Sequence, residues 1–369
     1  MDVIKRNFFR LLRSGTFGDK EAVEPMSAWK WERLYHISLM HGVAAFVADG
    51  IRRHADDFFL QIPPDMMRNW EKTVAEIEEE NLCLNRQIAA LFTLLNKEQL
   101  RPILLKGQSM NELYDNPLHR KGGDIDIFFP YAPQANKADK WARKHGNDIS
   151  EEERYILKYK WNDVRIDHHY RLQKLTNPRL NKRLQDIIKT EINCCDSSYI
   201  LIEGTKVEVL PPTLLLLFIM IRIVRYILNE GISLKQIIEL GTFLRKKGDK
   251  VDFVKLQSWM EKLRMQWMAR LVGSMLVKYF GFSIEEIPFM NGISDENVSK
   301  IIEDVLQLGD SHNDIWYFTQ GKNIFVSTSN SSAMLWQIRH SVKYMKYYPT
   351  ETVTNFFTSF AHSLSHIEE

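Results

Sequence analysis

The sequence predicts an α+β fold in which a small mixed β-sheet, flanked by helices, sits between an N-terminal helical region and a large C-terminal one. Three observations carry this. Short apolar runs bounded by turn residues, the mark of buried strands, fall between residues 103 and 209. Outside that span, apolar residues mostly recur every three to four positions, the period of amphipathic helices. Within it, acids alternate with isoleucine in Asp124-Ile125-Asp126-Ile127, and Asp167 follows Ile166 in a second run. Successive strand side chains point to opposite faces, so the isoleucines go to the core and Asp124 and Asp126 share the other face. The expected division is an N-terminal helical region over 1–80, a core over 81–210 and a C-terminal helical domain over 211–369.

In chain order, residues 2–13 read as a helix with Ile4, Phe8, Leu11 and Leu12 on one face. Residues 25–53 continue as helix, with Trp29, Leu34, Ile37, Met40, Val43, Val47 and Ile51 forming a stripe. His36 and His41 are five apart, off a common face, and read as packing or surface residues and not as metal ligands. Pro63-Pro64 breaks this segment and opens a long helix over 65–97, whose acidic run Glu76 to Glu80 reads as a solvated face. Ile103-Leu104-Leu105 reads as a buried strand, Lys106-Gly107-Gln108-Ser109 as a turn, and the residues to Tyr114 as helix. After the Asp124–Asp126 strand come a helix over 133–146 and strands over 155–159 and 164–168, joined by a tight turn at Asn162-Asp163. Val164 and Ile166 alternate there with Arg165 and Asp167, so Asp167 joins the first two acids if the strands pair. A hairpin over 199–209 and Pro211-Pro212 close the core. Helical periodicity then covers 213–229, 233–246, 251–263, 265–280, 294–308 and 331–346.

The composition excludes little. Forty-nine Lys plus Arg against 47 Asp plus Glu leave a net charge of +2, which argues neither for nor against nucleic acid. The three cysteines, Cys83, Cys194 and Cys195, form no CxxC pair, so reduced thiols in a cytoplasmic protein are expected. The first residues lack the apolar stretch of a signal peptide. Leu214 to Ile221 is cut by Arg222 and Arg225 well short of the roughly 20 residues a span needs, and reads as a buried helix. Near the C-terminus, Trp336, Arg339, His340, Lys343, Tyr344, Lys346, Tyr347 and Tyr348 interleave rings with positive charge. That pattern fits nucleic-acid stacking, but an amphipathic helix with a basic outer face is the favoured reading.

Two carboxylates on one strand face raise each other's pKa unless a cation lies between them. Residues 103–129 therefore point to a divalent-metal site facing a phosphate-binding turn. Strand, Gly-x-Ser turn, helix, Asp-x-Asp and a later strand aspartate together resemble the nucleotidyltransferase superfamily of DNA polymerase beta. More closely, LLKG, the arginine before GDIDIF, and VRIDHHYRL resemble a family of uncharacterised bacterial nucleotidyltransferases, with the specific motifs over 103–171. The chain departs from the wider superfamily where Gln108 separates Gly107 from Ser109.

The resemblance implies that Asp124, Asp126 and Asp167 are the catalytic acids and hold two Mg2+ ions, with Mn2+ an alternative. It implies that Lys106, Gly107, Ser109 and Arg120 bind the phosphates of an NTP, ATP being expected. His169, on the carboxylate face with Asp167 by strand alternation, would orient that aspartate or touch substrate, while His168 is packed or at the surface. The implied reaction moves a nucleoside monophosphate to a hydroxyl on a small molecule, a protein or an RNA end, releasing pyrophosphate. Two other readings are a non-catalytic nucleotide- or partner-binding module, regulatory or antitoxin-like, and an RNA-binding helical protein. Retention of all three acids argues against the first, though the Gln108-interrupted turn favours it; the second rests on the C-terminal rings and basic residues, and strong salt dependence of RNA binding would support it.

Overall fold

The computed structural model describes residues 2–152, 155–290, 295–307 and 339–365. These fall into two compact units, one of Met1–Leu172, Lys189–Leu215 and Arg245–Asp249, the other of Gln173–Ile188, Leu216–Leu244 and Lys250–Glu369.

The first unit holds the seven strands among the described residues: β1 (Ile103–Leu105), β2 (Ile125–Phe128), β3 (Asn147–Glu152), β4 (Ile156–Trp161), β5 (Val164–His169), β6 (Ser198–Ile202) and β7 (Thr205–Val209). Their order across the sheet is β3-β4-β5-β2-β1-β7-β6. β2 runs parallel to β5 and β1 parallel to β7, while the remaining neighbours are antiparallel, so the sheet is mixed as expected. The turn between β4 and β5 is Asn162-Asp163, both with positive φ, as a two-residue hairpin turn requires.

Period-two alternation decides the two faces of the sheet. Leu104, Ile125, Ile127, Leu157, Tyr159, Ile166, Val207 and Val209 join one buried apolar cluster with Ile88, Leu91, Phe92 and Leu95 of the helix Pro64–Lys97 and with Ala138 and Trp141 of the helix Ala132–His145. Asp126, Lys158, Asp167 and His169 hold the alternate positions and so take the opposite face. Four details differ from the sequence reading. Residues 25–53 form two helices, Ala28–Met40 and Ala44–Arg53, because the chain turns at His41-Gly42, where Gly42 has φ +64°. The segment after the first turn is a 3-10 helix, Gly107–Leu113. Strand β3 adds an edge that polar NDISEE conceals, since charged residues are how exposed edges avoid pairing. Glu76, Glu79 and Glu80 are exposed as expected, but Glu78 binds His119.

Described secondary structure in the second unit is helical. Asn177 caps Pro178–Cys194 by accepting from the N–H groups of Arg179 and Leu180, and Glu351 accepts from the N–H of Asn177 at 2.9 Å. Arg222 pairs with Glu239 across Pro212–Arg225 and Leu234–Lys247 at 3.5 Å, both side chains buried. The apolar window Pro212–Asn229 is long enough to cross a membrane, but 78% of it is buried in the fold, as a core helix would be. Tyr344, Tyr347 and Tyr348 are buried, which withdraws them from base stacking. Trp336 lies outside the described residues.

Candidate active site

Strand register, more than chain order, assembles the site. Leu105, Asp126, Asp167 and Lys158 occupy successive positions across β1, β2, β5 and β4, so the two carboxylates stand side by side on parallel strands. Both are buried. His169, two residues beyond Asp167 and therefore on the same face, donates from Nε2 to Asp126 Oδ1 at 2.7 Å. Candidate metal-binding atoms of Asp126, Asp167 and His169 all lie within 4.8 Å of one another. Lys106 Nζ, arriving from the end of β1, forms a short ion pair with the same Asp126 oxygen. Lys158 Nζ is 3.7 Å from Asp167 Oδ2 and also pairs with Glu152.

Asp124 is on the adjoining rung, just before β2 begins. Its carboxylate is 38% exposed and stands 3.9 Å from Arg165 Nη1. The structure therefore brings Asp126, Asp167, His169 and Lys106 into contact range and leaves Asp124 at the mouth.

The electrostatics separate the two buried acids. Burial alone would raise the Asp126 carboxyl, but Lys106 and the His169 hydrogen bond outweigh it and hold it far below the usual carboxylate range. Asp167 goes the other way. Burial, then the charge of Asp126, push its carboxyl up to about 6 against the opposing pull of Lys158. Its Oδ1 is buried with no hydrogen-bond partner. His169 is lowered by burial and by Lys106, against the raising effect of its hydrogen bond to Asp126. His168 points to the other face between Phe129 and Tyr170, is fully buried, and is lowered to about 4 by desolvation, which confirms it as a packing residue.

The turn after β1 is strained. Lys106 sits at φ +45°, ψ −164°, close to a region otherwise reserved for glycine, and Gly107 follows at φ +41°. Such backbone costs about 1–3 kcal/mol for a residue with a Cβ and persists where the surroundings enforce it. The N–H of Ser109 is used within the turn, donating to the Lys106 carbonyl at 2.9 Å, while Ser109 Oγ is buried without a partner. Arg120 is also brought here: its Nη1 lies 3.6 Å from where a Cβ on Gly107 would stand.

Sequence reasoning did not single out Lys158, Asn81 or His119. Lys158 was legible as the charged residue opposite Leu157 and Tyr159 in its strand. Asn81 interrupts the otherwise apolar stripe Trp70, Val74, Ile77, Leu84, Ile88 of its helix, a polar intrusion that signals a buried bond. His119 carried no such signal.

Residues 27–281 match the model of a family described as uncharacterised nucleotidyltransferase. Among solved structures, the chain resembles an antigenic nucleotidyltransferase-like protein from Paracoccidioides brasiliensis at 14% identity and a TM-score of 0.34, over 49% of this chain and 86% of that one. No curated protein matches the chain.

Proposed function

The chain belongs to this nucleotidyltransferase family, and from that premise we propose that it is a metal-dependent enzyme that transfers a nucleoside monophosphate from an NTP, ATP being the expected one, to a hydroxyl acceptor, releasing pyrophosphate. The observation that carries this is the cross-strand pair Asp126–Asp167, buried with an unpartnered oxygen beside a strained, glycine-bearing turn. Resemblance of the motifs to the polymerase beta-like superfamily supports the same reading. All seven strands lie within 81–210, which we take as the catalytic core. Three free cysteines accord with a cytoplasmic setting.

A divalent cation fits the donors present. Hard carboxylate oxygens suit Mg2+ or Mn2+, and Asp167 Oδ1 is a buried oxygen that the protein itself leaves unpaired. Asp126 and Asp167 would hold the metal, with Asp124 reaching a second ion from the mouth and His169 orienting Asp126. The metal supplies charge neutralisation at the attacking oxygen and at the departing pyrophosphate. The remaining work belongs to side chains and backbone. Gly107 and Gln108 present N–H groups at the start of the 3-10 helix, and Ser109 adds its hydroxyl, for the β- and γ-phosphates. Arg120 suits bidentate contact with phosphate oxygens, and Lys106 offers a point charge for the leaving group. Asp167 would also help to deprotonate the acceptor hydroxyl.

The test is to incubate the protein with labelled ATP, GTP, CTP and UTP, in Mg2+ or Mn2+, with cell extract as acceptor source. Pyrophosphate release or label transfer by the wild type, lost in Asp126→Asn, is the expected result. A wild type with no metal-dependent NTP binding would sink the enzyme reading.

A further inference from the structure

We infer that Asn81 is a positioning residue for nucleotide binding, fixing the Gly107–Ser109 turn and Arg120 at one spacing. The inference rests on the proposed function and gives Gln108, the residue that departs from the superfamily pattern, a specific task.

Asn81 is fully buried in the middle of the long helix Pro64–Lys97. Its Nδ2 donates to the carbonyl of Leu118 at 2.7 Å and to that of Arg120 at 2.9 Å. Both partners can only accept, so the amide orientation is determined and Oδ1 is left facing the other way. That oxygen accepts from Gln108 Nε2 at 3.0 Å. One side chain thus holds the backbone that presents Arg120 and the side chain of the residue in the middle of the phosphate turn. Gln108 is itself buried and bonds backward, to Asn81.

Gly122 closes the arrangement. A Cβ there would stand 2.5 Å from Leu84 Cδ1, 2.7 Å from Asn81 Oδ1 and 2.9 Å from Gln108 Nε2. A side chain at Gly122 would therefore push Leu84 and the Asn81–Gln108 bond aside. A second anchor, His119 held by Asp49 and Glu78, fixes the same loop to two helices. What Asn81 adds is the link from that loop to the turn. Two phosphate-binding elements from separate parts of the chain are useful only at a distance matched to the phosphates, and small misplacements are costly.

Two variants separate this role from plain stability. Asn81→Ala removes the whole tie, and Gln108→Ala removes only its turn side, leaving the bonds to Leu118 and Arg120. Each is titrated by fluorescence with a labelled form of whichever of ATP, GTP, CTP and UTP the wild type binds best, in Mg2+. Mn2+ alone is titrated in parallel by electron paramagnetic resonance, and the melting temperature is recorded. The expected result is a nucleotide Kd raised about tenfold or more in both variants, with the tightest Mn2+ affinity, that of the Asp126–Asp167 pair, unchanged because these two acids sit on strands that the tie does not touch. The double variant should lose no more nucleotide affinity than Asn81→Ala alone. Gly122→Ala, which deletes no hydrogen-bonding group but wedges the bond, should also weaken nucleotide and spare Mn2+. If Gln108→Ala and Gly122→Ala fold and bind nucleotide as the wild type does, the inference is overturned and the enzyme reading stands. Additive losses in the double variant overturn it too. A wild type that binds no nucleotide defeats both.

Discussion

The loop node around Asn81 and His119 and the acid pair Asp126–Asp167 are both buried polar clusters in the first unit, and they follow opposite rules. In the node, Asn81 and His119 both have hydrogen-bond partners on every polar side-chain atom. Asn81 makes three bonds, and His119 has Asp49 Oδ2 at 2.6 Å from Nδ1 and Glu78 Oε1 at 2.9 Å from Nε2. In the acid pair, two carboxylates stand on neighbouring strands, and Asp167 Oδ1 and Ser109 Oγ have no partner. Burying a polar group without a partner costs about 1–3 kcal/mol. A protein tolerates that cost where something else completes the site. The closed cluster holds backbone in place, and the open one carries the proposed ligand site.

The sharpest way to break this comparison is to neutralise the open cluster. Asp167→Asn removes the charge that burial and Asp126 disfavour, since Asp167 is the acid pushed up to about 6. Transfer activity should fall by on the order of 10²- to 10³-fold. Thermal stability of the EDTA-treated protein should stay level or rise, by up to about 2 kcal/mol. An open site loses function and gains stability from the same substitution, whereas a structural cluster loses stability. A clear fall in melting temperature for Asp167→Asn would place the acid pair with the structural clusters.

Lys106 should behave in the opposite way. Its ammonium offsets the buried charge of Asp126, and removing one partner of such a pair leaves an uncompensated ion. Lys106→Ala is expected to destabilise by about 2–3 kcal/mol, toward the low end for buried pairs because the lysine is 22% exposed. Chemical denaturation measures this directly, and Lys106→Ala paired with Asp126→Asn should cost less than the sum of the two.

How much of this was legible in the sequence follows the same division. The acid pair could be read because strand alternation is local: Asp124-Ile125-Asp126 and Ile166-Asp167 state their faces without reference to the rest of the chain. The pairing of β2 with β5, which puts two of the three acids on one rung and sets Asp124 aside, depends on register across some forty residues. No single strand encodes that register. The node was harder still. Asn81 and Gln108 are 27 positions apart, and His119 meets Asp49 and Glu78 from 70 and 41 positions away. Nothing in Asp49 or Glu78 distinguishes them, before folding, from the solvated charges that surround them in sequence. The exposed edge strand β3 failed for a third reason, because its polar composition is what an edge needs and what a strand pattern lacks.

The closed node predicts a pH response of definite sign. Burial disfavours the His119 imidazolium, but Asp49 and Glu78 outweigh burial and raise its pKa above the ordinary value. A raised folded-state pKa means the stabilisation is fully present below the unfolded value of about 6.5 and is lost as pH rises through the folded value. Melting temperatures taken upward from pH 6 should therefore decline more in the wild type than in His119→Gln. Parallel curves would show that the histidine is not charged in the fold.

The smallest effect tests the strain at the open site. Lys106 at φ +45° holds backbone that a Cβ resists, and Gly107 beside it shares the left-handed bend. Comparing Lys106→Gly with Lys106→Ala cancels the lost ion pair and leaves the backbone. Glycine normally costs stability relative to alanine, by roughly 0.5–1 kcal/mol, because it has more freedom to lose on folding. Here the order should reverse, with the glycine variant about 1 kcal/mol more stable, because the native conformation is one that glycine adopts freely. The wild type nonetheless places a lysine there, which means that strain is accepted so that its ammonium can reach Asp126 beside the phosphate turn. An alanine variant as stable as the glycine one would remove that argument and leave the turn an ordinary end of β1.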